Sequence, residues 1–447
     1  MMDIKLSAVE KHRDLILNAE RYIWEHAETG FREWETSKYL EDAYESLGYE
    51  LVRAGNIPGF YTVIDTKKEG PEILILGELD ALLCPTHKEV NKKTGAAHTC
   101  GHNAQSAALL GLAAALKDEE ILSGLCGKIK LCAVPAEELI EIDYRAQLKK
   151  EGVISYFGGK SEFLSRGYFD GVDLAFMVHT TSGDNFSIGM GGVGCLAKKI
   201  NYHGVSTHAG SRPWNGKNAL YAANVGLMAI NSLRETFKEE DLIRVHPIIT
   251  QGGESVNAIP DLVKMESYIR GLSFDAIYDA NIKVNRALAS GALALGANVE
   301  IQDIPGYAPN RNDKNLVDLA IEAHGLLDSG REFIKNEVYS PSSTDMGDLS
   351  CIMPTIHPQC PGAVGQSHSD TFYIKDPEFA CVMSAKWQLA ILTLLLSDGA
   401  KRAKEIIKNH VPRFKSKEEY FACLDRFISE GERVEYQEDG KATVKLW

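Results

Sequence analysis

Apolar and polar residues alternate in rhythms that change along the chain. Three short runs dense in aliphatic and β-branched residues, EILILGEL (72–79), KIKLCAVP (128–135) and VDLAFMVH (172–179), predict buried strands. Residues 7–47 and 103–117 space their apolar positions as helices do, so the order predicts an α/β domain, a mixed sheet covered by helices. After IGMGGVG (188–194) the texture shifts. CLAKKINYHG predicts a strand, NALYAANVGLMAINSLRETF a helix, IRVHPIITQGG and DLVKMESYIRG two strands, 275–295 a helix and NVEIQDI a strand. That order is a ferredoxin-like α+β module inserted into the first domain. The expected division is 1–190, an insert at 191–308, and 309–447 completing the first domain, with a charged appendage from about Lys401.

Composition mainly excludes. With 447 residues, 44% apolar and 25% charged, the chain has the balance of a globular protein of two or three domains. A net charge of −14 opposes general affinity for nucleic acid or an anionic membrane, which leaves small molecules or proteins as partners. No run approaches the ~20 apolar residues that cross a bilayer, and the N-terminal region holds no continuous apolar stretch like that of a signal peptide. Nine cysteines, odd in number and scattered, do not suggest a disulfide framework. The expectation is a cytoplasmic protein.

Candidate chemistry collects at strand ends. Glu78 and Asp80 follow the first strand, Glu137 and Glu138 of PAEE the second, and His179 ends the third. Ligands of open α/β sheets bind outside the carboxyl ends of strands. Cys100 and His102 of TCGHN open the next helix and can join them. Thiolate, imidazole and carboxylate are donors to zinc and other divalent ions, and a thiolate can bridge two cations that hold it deprotonated. C-x-H alone reads more simply as a buried thiol beside a helix-capping histidine; joint occurrence at successive strand ends favours a metal centre. Two other readings are Cys100 as a nucleophile activated by His102 or His98, and a protein that binds without turnover.

GELDAL (77–82), HTCGHN (98–103), VPAEE (134–138), VH (178–179), HGVSTHAGSRP (203–213), VNAIPD (256–261), SSTDMGD (342–348) and SHSDTF (367–372) run in an order that resembles one family. It is the dinuclear-metal amidohydrolase and peptidase family of aminoacylase, glutamate carboxypeptidase, auxin-conjugate hydrolases and p-aminobenzoyl-glutamate hydrolase. CGHN and STDMGD look nearest to the last of these branches. The resemblance implies a zinc-peptidase-like fold whose insert is a lid and dimerisation domain, and two divalent ions, zinc or manganese. Cys100 would bridge them, His102 and His179 completing one site and Glu138 with His368 the other. Asp80 would fix the ring of a ligand histidine. Glu137 would be the general base, and His208 would reach across a homodimer interface to the oxyanion. Asn257 and Arg270 would hold the substrate, the guanidinium being suited to a carboxylate. The implied substrate is a dipeptide, N-acyl amino acid or aminobenzoyl-glutamate-like amide.

Three positions depart from the pattern. Glu78 stands where several branches carry a metal-binding histidine, and Asn103 where others carry aspartate. The connection 139–171 is longer than in most relatives; it reads either as a pocket wall using Tyr144, Arg145, Tyr156 and Phe157 or as an amphipathic surface helix. His98 and His357 compete with the ligand histidines, and Asp345 reads as either a supporting acid or a turn former.

Overall fold

Helices α1 (Arg13–Glu25) and α2 (Trp34–Ser46) lead into strands β1 (Val52–Arg53), β2 (Phe60–Asp65) and β3 (Glu72–Glu78) in the computed structural model, which describes residues 5–446. Next come α3 (His102–Ala115), β4 (Lys128–Val134), α4 (Ile142–Lys150), α5 (Gly159–Ser165) and β5 (Leu174–Phe176). The sheet order is β1-β2-β4-β3-β5, extended by Thr355–Ile356 beside β5. β3 pairs in parallel with both β4 and β5, so the carboxyl ends of all three point the same way. β3 is almost entirely buried because apolar layers cover both sheet faces, which is why it reads as one continuous aliphatic run.

Through β6 (Gly191–Gly192) the chain enters a second sheet. It comprises β7 (Gly194–His203), α6 (Ala219–Leu233), β8 (Arg244–Val245), β9 (Ile248–Gln251), β10 (Leu262–Gly271), α7 (Phe274–Ala294) and β11 (Asn298–Tyr307). β10 alternates strictly between buried and half-exposed residues, the mark of a sheet with one face against helices. Ser273 caps α7 by accepting from Ala276 N at 3.1 Å. The chain returns through β12 (Asn310–Arg311) and β13 (Tyr339–Ser340), which flank β6 in a three-stranded sheet. Towards the C-terminus lie α8 (Ser384–Leu396), α9 (Lys417–Asp425) and β14 (Ser429–Glu432). β14 pairs with β11 and is the terminal strand on that side of the second sheet. The stretch Glu378–Leu396 is long and apolar enough to cross a membrane, but it is mostly buried in the core against the first sheet.

Four expectations change in detail. The periodic region 7–47 is broken between α1 and α2, where Phe31 takes a left-handed φ of 61°. The run 172–179 gives only a short β5, and His179–Thr181 pairs instead with Gln359–Pro361 in another sheet. The strand expected over 243–253 is interrupted at His246–Pro247, since proline has no N–H for the ladder. The connection 139–171 folds into two short helices, and buried Arg145 and Lys160 rule out a merely surface amphipathic helix.

Candidate metal centre

Gly101 sets the first pair of donors. Its left-handed backbone (φ 85°) turns the chain from Cys100 into α3, and a Cβ there would press on Thr180 at 3.2 Å. Cys100 thus lies just outside a helix N-terminus, where free N–H groups favour a thiolate. His368 N donates to Thr99 O at 2.9 Å, bringing the distant SHSDTF loop over this turn. His368 itself holds a φ of 62°, a region where non-glycine residues concentrate at functional positions. At the end of β4, Ala136 (φ 57°) bends the chain towards Glu137 and Glu138, and its N–H donates to buried Glu33 at 2.8 Å.

Five donors from these segments converge. Ligand atoms of Cys100, His102 and His179 lie within 4.8 Å of one another, as do those of Cys100, Glu138 and His368, so one thiol is common to both groups. Cys100 Sγ is 3.4 Å from His179 Nε2, and Glu138 Oε1 is 3.1 Å from His368 Nε2. His102 Nδ1 donates to Asp80 O at 2.8 Å and lies 3.2 Å from its carboxylate, which turns Nε2 to the cluster. Asp80 Oδ2 also accepts from Glu138 N at 2.8 Å, so one acid braces two donors. Buried His102 Nε2 and Glu138 Oε1 have no hydrogen bond of good geometry. Orphaned atoms of these types fit two divalent cations, zinc or manganese.

Electrostatics agree with that fit. Burial and the Glu138 charge raise the Cys100 thiol, but the imidazoles of His102 and His179 outweigh them and bring its pKa down to about 6. Burial also opposes the charge on Glu138, yet the close contact and charge of the His368 imidazole bring it down to about 2. Burial lowers His368, and its contacts with Cys100 and Glu138 then push it up to about 11. Glu137 moves the other way: burial, then the charges of Glu78, Glu138 and Asp345, hold it well above the carboxylate range. Shared protons balance this cluster, a positive charge that cations would replace.

Behind Glu137 lies a residue that sequence reasoning missed. Lys160, on α5, is fully buried; its Nζ donates to Glu78 Oε1 at 2.5 Å and to Asp345 Oδ1, and its backbone N–H to Asp345 Oδ2 at 2.9 Å. Glu78, Glu137 and Asp345 gather within 4.8 Å, so a single ammonium faces three acids. Burial would lower Lys160, but Asp345, Glu78 and Glu137 raise it above the ordinary lysine range. Asp345 is therefore a buried acid supporting the centre. The only signal for Lys160 was a lysine between a glycine pair and an apolar helix, FGGKSEFL.

A cavity of about 780 Å³ opens over the cluster, lined by Cys100, Glu137, Glu138, His179, His368 and Arg270 among others. Tyr144, Arg145, Tyr156 and Phe157 do not line it, which corrects the pocket-wall reading for those four, although Leu139 and Ile140 at the start of the long connection do. Arg145 instead supports the site from behind, donating to Phe157 O at 2.5 Å and to Glu138 O. His98 and His357 join none of the donor groups; burial first, then neighbouring imidazoles, lowers each to about 3. His208 and Asn257 also stand apart from the cavity, exposed on adjoining loops joined by Ala209 N donating to Asn257 O at 2.8 Å. His208 Nδ1 accepts from Gly210 N at 3.0 Å and Ser211 N at 3.1 Å, so its proton is on Nε2, facing outward.

Comparison with known proteins places this geometry. The profile of peptidase family M20/M25/M40 matches residues 74–387. Xaa-Arg dipeptidase of Mus musculus is 33% identical over 58% of this chain, and the chain spans only 57% of that relative's length. One of the two p-aminobenzoyl-glutamate hydrolase polypeptides of Escherichia coli (strain K12) is 28% identical over 71% of this chain and 64% of its own. Among solved structures, a dinuclear metal binding peptidase from Bacillus subtilis superposes with a TM-score of 0.63 at 22% identity, over 87% of this chain and 99% of that one, and so shares the fold.

Proposed function

This chain belongs to peptidase family M20/M25/M40, and on that premise we propose that it is a metal-dependent amidohydrolase. Its substrate is a small carboxylate-bearing amide: a dipeptide, an N-acyl amino acid or an aminobenzoyl-glutamate-like compound. The observation that carries this reading is the Cys100 thiol shared by two groups of donors, with His102 and His179 on one side and Glu138 and His368 on the other. Each group would hold one zinc or manganese ion. Such ions, when bound, polarise an amide carbonyl and acidify a water molecule.

Glu137 accepts the proton of the attacking water at its free carboxylate and returns it to the leaving nitrogen. Burial and like charges raise its proton affinity, which suits it to this shuttle. Arg270 is half-buried, lines the cavity and makes no ion pair among the described residues, so its guanidinium can take the substrate carboxylate. Because His208 and Asn257 lie outside their own chain's cavity, we assign them to a partner subunit's site, where His208 Nε2–H would donate to the oxyanion. The domain division 1–190, 191–308 and 309–447 belongs to this reading, as does a cytoplasmic location, which nine free cysteines support.

A homodimer has physical support in the second sheet. Its terminal strands among the described residues are the short, charged β14 on one side and β8 with β9 on the other. Ile248 there is 59% exposed, and Met228 on α6 is 70% exposed. Exposed apolar side chains on the edge strand and on a helix of the same module suit a second copy. Met228→Asp combined with Ile248→Asp should convert a dimer to a monomer in ultracentrifugation; a monomeric parent protein would refute the assignment.

Mass spectrometry tests the hydrolase reading directly. Protein loaded with zinc or manganese should cleave members of a mixed dipeptide and acyl amino acid library, and a chelator should stop it. No product with either metal would overturn it. Activity that survives chelation would point to Cys100 as a nucleophile, which leaves Glu138 and His368 without a task.

A further inference from the structure

The cavity contains polar groups that the proposed hydrolysis does not use. Asn310 is 3% exposed, and its buried Oδ1 accepts no hydrogen bond; Ser343 Oγ is likewise buried and unpartnered. Both residues line the cavity. β6 sets them on either side of one strand: Gly192 pairs with Asn310 across one edge and with Ser340 across the other. Val193 N donates to Ser342 O at 3.1 Å, which draws the neighbouring Ser343 to the same strand. The approach is close. A Cβ on Gly191, whose φ is 139°, would meet Asn310 O at 2.1 Å. Arg270 reaches this place from the second sheet, since Cys195, just beyond β6, pairs with it.

Of the other polar residues nearby, Asn312, Tyr268 and Tyr307 are already committed, while His357 Nε2 is buried without a partner. Asn312 donates to Gly189 O at 2.8 Å and accepts from His357 N at 3.0 Å. The hydroxyls of Tyr268 and Tyr307 donate to Leu139 O and Glu137 O. Among the described residues the only carboxylates on the cavity wall are Glu137 and Glu138, both in the donor cluster. A basic side chain would therefore find no counter-ion of its own beside Arg270. An apolar one would leave Asn310 and Ser343 without a partner, whereas a polar one that draws their side chains towards it would satisfy them.

We infer that the cavity selects an uncharged hydrogen-bonding side chain, such as that of asparagine, glutamine, serine or threonine, on the amino acid whose carboxylate Arg270 holds. This deepens the hydrolase reading and rests on it for the place of the carboxylate. Calorimetric titration of the full chain, metal-free and metal-loaded, with free amino acids in shape-matched pairs provides the test. Asparagine should bind at least ~10-fold tighter than leucine, and threonine tighter than valine, with arginine and aspartate weaker than asparagine. Asn310→Leu and Ser343→Ala should bring the asparagine-to-leucine ratio close to unity. Ser343→Ala removes one oxygen, so it keeps the test alive should Asn310→Leu not fold. Leucine or arginine binding as tightly as asparagine would overturn the inference, as would an unchanged ratio in the folded variants. Dipeptide cleavage measured in parallel separates the two readings. Selective binding without cleavage sinks the hydrolase and keeps the pocket, whereas cleavage indifferent to that side chain sinks the pocket alone.

Discussion

Two lysines are fully buried in this molecule, Lys160 beside the metal-ligating cluster and Lys198 in the second sheet, and their surroundings differ in kind. Lys198 donates to Asn281 Oδ1 at 2.6 Å, Asn285 Oδ1 at 2.7 Å and Asp303 Oδ1, which uses all three ammonium protons. The other oxygen of Asp303 accepts from both asparagines, at 2.9 and 3.2 Å. That network is closed, and burial leaves the Lys198 pKa below its ordinary value. Lys160 instead faces Glu78, Asp345 and Glu137, and its pKa rises. Beyond them stand atoms with no partner and a cavity. A buried polar network that satisfies itself holds a fold together; one that leaves donors and acceptors over is set to receive something.

The contrast is most exposed to disproof at Glu137. Glu137→Gln should lower kcat by ~10²–10⁴-fold while elemental analysis finds unchanged metal, and near-normal turnover would show that the leftover acid has no catalytic role. Cys100→Ala should then lose at least one of two bound ions, since both groups of donors share the thiol. Full loading would show that the open cluster does not depend on it.

The two lysines can be set directly against each other. Lys160→Met and Lys198→Met each strand buried acid, so each should cost about 3–5 kcal/mol in denaturant unfolding. Corrected for the folded fraction, Lys198→Met should keep its kcat, whereas Lys160→Met should lose at least ~10-fold. Equal kcat in the two variants would make both networks merely structural.

A smaller effect comes from Asp348, an intermediate case. One oxygen accepts from Ala308 N at 2.8 Å and Tyr420 OH at 2.7 Å, and the other has no partner. Burial, then the Asp345 charge, raises its pKa from 3.8 to about 7. The native state thus keeps a proton that the unfolded chain releases between those values, so stability from this group is lost as pH rises through that window. Asp348→Asn should make the fall in stability shallower by about 1.4 kcal/mol per pH unit there. An unchanged slope would place the proton elsewhere.

Part of the donor cluster was readable from the chain because PAEE and His179 close strand runs and CGH opens a helix beside them, whereas His368, in a loop, came only through the family resemblance. The parallel β3, β4 and β5 were readable for a related reason: a strand buried on both faces has nothing but aliphatic residues to show. Lys160 was hidden because its meaning depends on Glu78 and Asp345, remote in the chain and joined to it only by folding. The break at His246–Pro247 had a local signal in the proline. The burial of Arg145 had none, since its partners are backbone carbonyls that no residue type encodes.

One consequence follows from β14 lying along β11. β14 is the terminal strand on that side, but it is only four residues long and reads SEGE, with Gly431 at a φ of 141° and two glutamates, so it offers a further chain a short, charged and irregular partner. Growth from that side is thereby discouraged, and a second molecule docking on the opposite side by twofold symmetry makes a contact that closes on itself, which halts assembly at the pair.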